Sequence, residues 1–168
     1  MPNGRGAGPS RPSDLTRDIL GIYHYTRTCL NGESNMAPES SNIVTGGCLC
    51  GAVRCEAEGP PIGVGNCHCQ TCRHHTGAPM VTFVMFEAEN VRFPKAARST
   101  FGSSPGVKRG FCPECGTPLT WEGRYQGLDI IEFHVGTTDD PDAFPPEFQW
   151  YANEKLAWMD LNDDLPDK

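Results

Sequence analysis

The chain has no apolar run approaching the roughly 18 residues a membrane-spanning helix needs, and no short apolar core behind a basic start of the kind that directs secretion. The expectation is a soluble, cytoplasmic protein. Basic side chains are scarce: 14 Lys and Arg stand against 21 Asp and Glu, a net charge of −7. Residues 1–35 hold four arginines and three acids, so the other 133 residues carry 10 basic and 18 acidic side chains and a net charge of −8. That balance speaks against nucleic acid as a partner, because phosphate contact needs a basic face. There is no internal repeat, phosphate-cradling glycine loop, dinucleotide fingerprint or serine-nucleophile motif. Asp139, Asp140 and Asp142, like Asp160, Asp163, Asp164 and Asp167, lack the glycine and closing glutamate of a calcium loop and read as solvated charges.

What the chain has in quantity is cysteine, nine in 168 residues. Seven of them form three tight groups within the 68 residues from 48 to 115: Cys48-x-Cys50, Cys67-x-Cys69-x-x-Cys72 and Cys112-x-x-Cys115. Such clustering in a chain without a secretory signal points to thiolates on metal rather than to disulfides. A structural zinc takes four thiolates, which leaves three cysteines over, the ligand number of a zinc with an open position. Cys112-Pro113-Glu114-Cys115-Gly116 reads as a knuckle that turns two thiolates to one side, with Gly116 free to take positive φ. Cys48 and Cys50 can complete that site, since residues two apart in an extended segment share a face and Gly46, Gly47 and Gly51 allow close approach. Cys67, Cys69 and Cys72 then hold a second ion from a single loop. Cys55 reads as a small buried hydrophobe and Cys29 as an incidental thiol.

Four thiolates leave zinc at −2 and saturated, whereas three leave it at −1 with capacity for water, hydroxide or a substrate thiol. The first site staples the fold and the second can do chemistry. His68 lies between two ligands and would point away from the metal; His74 and His75 follow Cys72 and stay open as a fourth ligand, which would make both sites structural. All three histidines are proton-shuttle candidates by proximity. Arg73, with His74 and His75, sits beside the three-cysteine group, and Lys108 and Arg109 precede the knuckle. Cations there suit a ligand with carboxylates.

Three blocks carry a resemblance: Gly46-Gly47-Cys48-Leu49-Cys50-Gly51-Ala52-Val53, then Cys67-His68-Cys69-Gln70-Thr71-Cys72-Arg73 with Gly77, then Phe111-Cys112-Pro113-Glu114-Cys115-Gly116. In order and spacing, over roughly residues 43 to 165, the chain resembles the glutathione-dependent formaldehyde-activating enzyme family, which also includes centromere protein V. The resemblance implies a compact, mostly β fold, a structural four-cysteine zinc and a catalytic three-cysteine zinc, hence two Zn2+ per chain. It implies a carbon–sulfur lyase whose name-giving reaction joins glutathione and formaldehyde as S-(hydroxymethyl)glutathione. Carried over residue by residue, Cys48, Cys50, Cys112 and Cys115 hold the structural ion, and Cys67, Cys69 and Cys72 the catalytic one; Arg73, by its charge beside that group, is the candidate substrate contact. One departure is Gln149, which stands where the family often has a histidine ahead of an aromatic run and a tryptophan.

Residues 1–42, with Gly4, Gly6, Gly8, Pro2, Pro9 and Pro12 at their head, read as a disordered or weakly structured extension, and Met36 as an alternative start. From Ile43 to Lys168 the texture is that of one mainly β domain, an antiparallel meander or small sandwich. Strands are expected over 43–44, 52–57, 80–87, 91–93, 108–111, 119–121 and 128–135, with single helical turns over 70–75 and 140–144. Phe83, Phe86, Phe111, Trp121, Phe133, Trp150, Tyr151 and Trp158 are expected in the core or in a pocket wall. Two functions fit: a zinc enzyme acting on a glutathione-type thiol and a small carbonyl or its adduct, or a non-catalytic zinc module that binds protein, chromatin or glutathione.

Overall fold

The computed structural model describes residues 43–161 and 164–168. The extension expected over 1–42, with Cys29 and Met36, lies outside the described residues. From residue 43 the chain builds the expected mainly β architecture in two sheets. Strands β1 (Ile43–Gly47) and β2 (Arg54–Glu58) form a hairpin, joined by the two-residue β5 (Val91–Arg92) in the antiparallel order β1-β2-β5. The larger sheet comprises β3 (Gly63–Cys67), β4 (Val81–Glu87), β6 (Ser99–Ser104), β7 (Val107–Phe111), β8 (Pro118–Tyr125), β9 (Leu128–His134) and β10 (Phe148–Trp150). Its order is β10-β3-β4-β9-β8-β7-β6, antiparallel throughout except that β10 runs parallel to β3. A short helix, α1 (Gln70–Thr76), follows β3. None of the helices among the described residues is long and apolar enough to cross a membrane.

Alternation along the strands sorts the large sheet into two faces. On one, register aligns Val64 with Val84 and Phe133, and Phe86 with Ile131; these pack with Cys55 and Ala57 of β2 as the main core. Cys55 is buried there, and burial pushes its thiol up to about 12, as befits a small apolar filler. On the other face, register draws Gly63, Met85, Glu132, Trp121 and Arg109 into one row across β3, β4, β9, β8 and β7. This second face carries the cavity described below.

Three strands differ from the expected pattern, each for a physical reason. β3 reads Gly-Val-Gly-Asn-Cys, which has little strand propensity, but its five residues are all buried between β4 and β10. Its glycines make room for β10: a Cβ on Gly65 would fall 2.4 Å from Cε2 of Phe148 and 3.0 Å from Cζ3 of Trp150. Gly65→Ala should therefore cost about 1–3 kcal/mol through overpacking, read as a fall in Tm, and should disturb Trp150. An unchanged melting curve would show that β10 yields freely. β6 is a polar, mostly exposed edge strand, with Phe101 turned to solvent, and β10 has only three residues. The turn expected over 70–75 is a seven-residue helix. Trp158, expected in the core or a pocket wall, is 72% exposed, in a turn outside any strand or helix.

Candidate metal centres

Cys48, Cys50, Cys112 and Cys115 bring their sulfurs together within 4.8 Å of one another. Two turns do this. In the first, the Gly51 amide donates to the Cys48 carbonyl at 3.0 Å, Gly51 takes φ 74°, and the Val53 amide donates to Cys48 Sγ at 3.2 Å. Cys48 and Cys50 thus converge through a turn rather than through the extended segment expected for them, with Leu49 thrown outward between them. In the second, Gly116 takes φ 73° as its amide donates to the Cys112 carbonyl at 2.9 Å. The Thr117 hydroxyl and amide draw the Cys115 thiol down to about 5. Sulfur separations of 3.5 Å (Cys48 to Cys50) and 3.8 Å (Cys50 to Cys112) match the edge of about 3.8 Å that a tetrahedron with 2.3 Å metal–sulfur bonds requires. The donor set fits a metal ion. It also ties the end of β1 to the β7–β8 hairpin, and so one sheet to the other, over Val53 and Leu119.

The second cluster is Cys67, Cys69 and Cys72, again within 4.8 Å of one another. Cys67 ends β3; Cys69 is the N-cap of α1, its Sγ accepting from the Cys72 amide at 3.3 Å; Cys72 is on the buried side of that helix. Gly77, at φ 69°, closes the helix. Thiol contacts from Cys67 and Cys72 favour the thiolate at Cys69, with the Cys72 amide and Arg109 adding to them, while the same contacts push Cys67 the opposite way. Without a cation the cluster thus favours one thiolate, at Cys69, while the Cys72 thiol, like that of Cys67, is pushed up, Cys72 to about 11. Both Nη atoms of Arg109, a 4% exposed residue, approach Cys72 Sγ at 3.6 Å, and its Nε donates to Ser103 Oγ at 3.1 Å.

The three thiols open into a cavity of about 520 Å3 walled by Phe83, Trp121, Tyr125, Trp150 and Tyr151. Arg109, Arg124 and Lys168 bring three cations to it and Glu132 one carboxyl group. In an acidic chain this is a local reversal of sign, suited to an anionic ligand.

Residues 43–154 match the family described as glutathione-dependent formaldehyde-activating enzyme. The chain belongs to this family. A curated relative, an uncharacterized lyase of Schizosaccharomyces pombe, is 36% identical over 119 residues, which is 59% of this chain and 82% of that protein. A crystal structure of a Rhodobacter sphaeroides protein, 20% identical, aligns over 74% of this chain and 99% of its own with a TM-score of 0.47.

Among the described residues no histidine joins either cysteine cluster, whose ligand atoms are sulfurs. His68 is fully buried, with Nε2 2.7 Å from Gln149 Oε1, so it turns to β10. Gln149, the departure noted in the sequence, is the residue that holds it. His75 packs edge-on to His134 at 5.9 Å, and burial lowers the proton affinity of both, His134 to about 3. His74 and Arg73 line a separate depression with Leu156. Arg73 Nε donates to the His68 carbonyl at 3.0 Å, bracing the cysteine loop from within. Glu132, Arg124 and Lys168 carry no local motif that would have singled them out: the β8–β9 pairing brings the first two to the cavity, and the C-terminal segment beside Gln149 brings Lys168.

Proposed function

We propose that the protein is a zinc-dependent, carbon–sulfur lyase-like enzyme acting on glutathione, or a similar thiol, together with formaldehyde or a related small carbonyl adduct. Family membership and the lyase-named relative support the class. The observation that carries the reading is the three-thiol cluster exposed to a cationic, aromatic-walled cavity, with no histidine of the described residues among its ligand atoms. Zinc suits both clusters by donor type, and at the second it supplies a coordination position that favours the thiolate form of an incoming thiol. Arg124 and Lys168 would hold substrate carboxylates, and the aromatic walls would exclude water and restrict the position of the carbonyl partner.

Cobalt-substituted protein tests this directly. Glutathione should perturb the metal–thiolate absorption and release a proton on binding, because only a deprotonated sulfur is a good ligand. Loss of a carboxylate's charged partner in Arg124→Ala should weaken binding by about tenfold or more, the equivalent of about 1.5–3 kcal/mol. The carboxylate contact expected of Arg73 is read from the same titration with Arg73→Ala. Absorption that stays unchanged at saturating glutathione would replace the enzyme reading by a non-catalytic metal module.

A further inference from the structure

We propose that Glu132 is a catalytic acid–base residue of this site, giving its proton to the carbonyl oxygen as the carbon–sulfur bond forms and recovering it as that bond breaks. The proposal rests on the thiol-and-carbonyl reading above. Glu132 sits in the middle of β9, held between Met85 and Trp121 on the neighbouring strands, and is 7% exposed. Its side chain lines the same cavity as Cys67, Cys69 and Cys72, yet it is not among the cluster's ligand atoms. Among the described residues it forms no ion pair and no side-chain hydrogen bond.

A carboxyl group placed so serves no evident structural end. Apolar neighbours would fill the position at less cost than an unpartnered acid. Burial pushes its proton affinity up to about 8, with Arg109 pulling the other way, so it stands protonated at neutral pH and close to the point of release. The other titratable groups around the cavity are poorly matched to the task. Arg109, Arg124 and Lys168 are the groups suited to hold an anionic ligand, and burial raises Tyr151 beyond its already high value. Tyr125 is a phenol on the neighbouring strand. His134, two residues along the same face of β9, is kept neutral by its burial beside Phe83 and His75. The cysteines serve as ligands.

The step balances. The thiol gives up its proton on entering the site, the sulfur electron pair forms the bond to the carbonyl carbon, and the carbonyl π pair moves to oxygen. That oxygen takes the Glu132 proton, and the proton released by the thiol restores the acid. Nothing is oxidised or reduced. In reverse, the Glu132 carboxylate takes the hydroxyl proton of the adduct as the carbon–sulfur bond breaks.

Glu132→Gln keeps the shape and removes the acid. Two readouts on the metal-loaded protein decide the matter. In infrared spectra at neutral pH the wild type should show the carbonyl stretch of a neutral carboxylic acid, absent from Glu132→Gln and fading as the pH passes about 8. In exchange spectroscopy at equilibrium, which separates catalysed from spontaneous adduct formation, Glu132→Gln should slow turnover by about 100-fold or more. Its glutathione-induced cobalt spectrum should be unchanged. Glu132→Asp should retain the band and part of the rate, which separates loss of the acid from damage to the fold. Turnover by Glu132→Gln within a few-fold of wild type, or a wild type without the acid band, overturns the role of Glu132 while the thiol-and-carbonyl reading stands. A wild type whose cobalt spectrum ignores glutathione overturns that reading and this role together.

Discussion

Cys112→Ser should leave a chain that no longer reaches its native fold, whereas Cys69→Ser should give a folded protein that holds one metal ion instead of two. Cys112 is completely buried, in the cluster with Cys48, Val53 and Leu119 where the two sheets meet. Removing its sulfur breaks a site that ties residues more than 60 positions apart, as the 62-residue separation of Cys50 and Cys112 illustrates. Structural zinc contributes an apparent 10–16 kcal/mol in small peptides, about as much as the whole stability of a domain, roughly 5–15 kcal/mol. Cys69 is only half-buried and caps a helix of seven residues. Serine is itself a good N-cap, so the lost thiol bond from the Cys72 amide is largely replaced and the cap term of about 1 kcal/mol is kept. Thermal melts followed by circular dichroism, with metal counted by native mass spectrometry, check both halves. Equal destabilisation by the two substitutions would refute separate roles for the two clusters.

The cysteine groups were legible in the sequence because a metal knuckle is a local object: two ligands and a turn glycine lie within five residues, and spacing alone reports the chemistry. Cys112 to Gly116 behave as that local rule requires, down to the positive φ of Gly116. For Cys48 and Cys50 the convergence was foreseen but not its cause, since amide-to-sulfur hydrogen bonds pull the segment into a turn. The core was legible wherever β-branched and aromatic residues alternate, as in β4 and β9. β3 has no local strand signature because its glycines serve the packing of Phe148, a partner 83 positions further along that no local pattern announces.

The cavity shows a different kind of limit. Arg109, Trp121 and Glu132 become neighbours only because β7, β8 and β9 pair in one register, and a slip of any one strand by one residue would turn its member of the row to the opposite face. The sequence places Arg73 beside the three-cysteine group and Arg109 only ahead of the knuckle, whereas in the fold it is Arg109 that lines the cavity and reaches Cys72. The pairing of His68 with Gln149 spans 81 positions, and the sequence marks Gln149 only as a departure from the histidine that the resemblance implies there.

Arg109→Ala should lower the metal affinity of the three-cysteine site by about 10- to 100-fold, the range typical of losing a partner that orients a ligand. It should leave the four-cysteine site untouched, for the guanidinium reaches only Cys72 among the ligands, through two Nη contacts at 3.6 Å. Three thiolates on a dication leave one excess negative charge in a buried setting, and a guanidinium against one sulfur offsets it where water cannot. Removing it raises the cost of keeping Cys72 deprotonated, so metal is lost to chelators sooner, and more so as the pH falls. Arg109→Lys should fail to restore the affinity, because a single ammonium cannot face Cys72 with two donors while a third bonds Ser103 Oγ. The same charge pulls down the proton affinity of Glu132. Its loss must therefore move the ionisation of Glu132 above about 8, so that the acid band persists to higher pH in Arg109→Ala than in the wild type. Chelator competition monitored per site, beside infrared titration of the same protein, gives both values. Unchanged affinity at the second site would mean that the Cys72 contact is packing alone, and an unmoved acid band would place Glu132 outside the reach of Arg109.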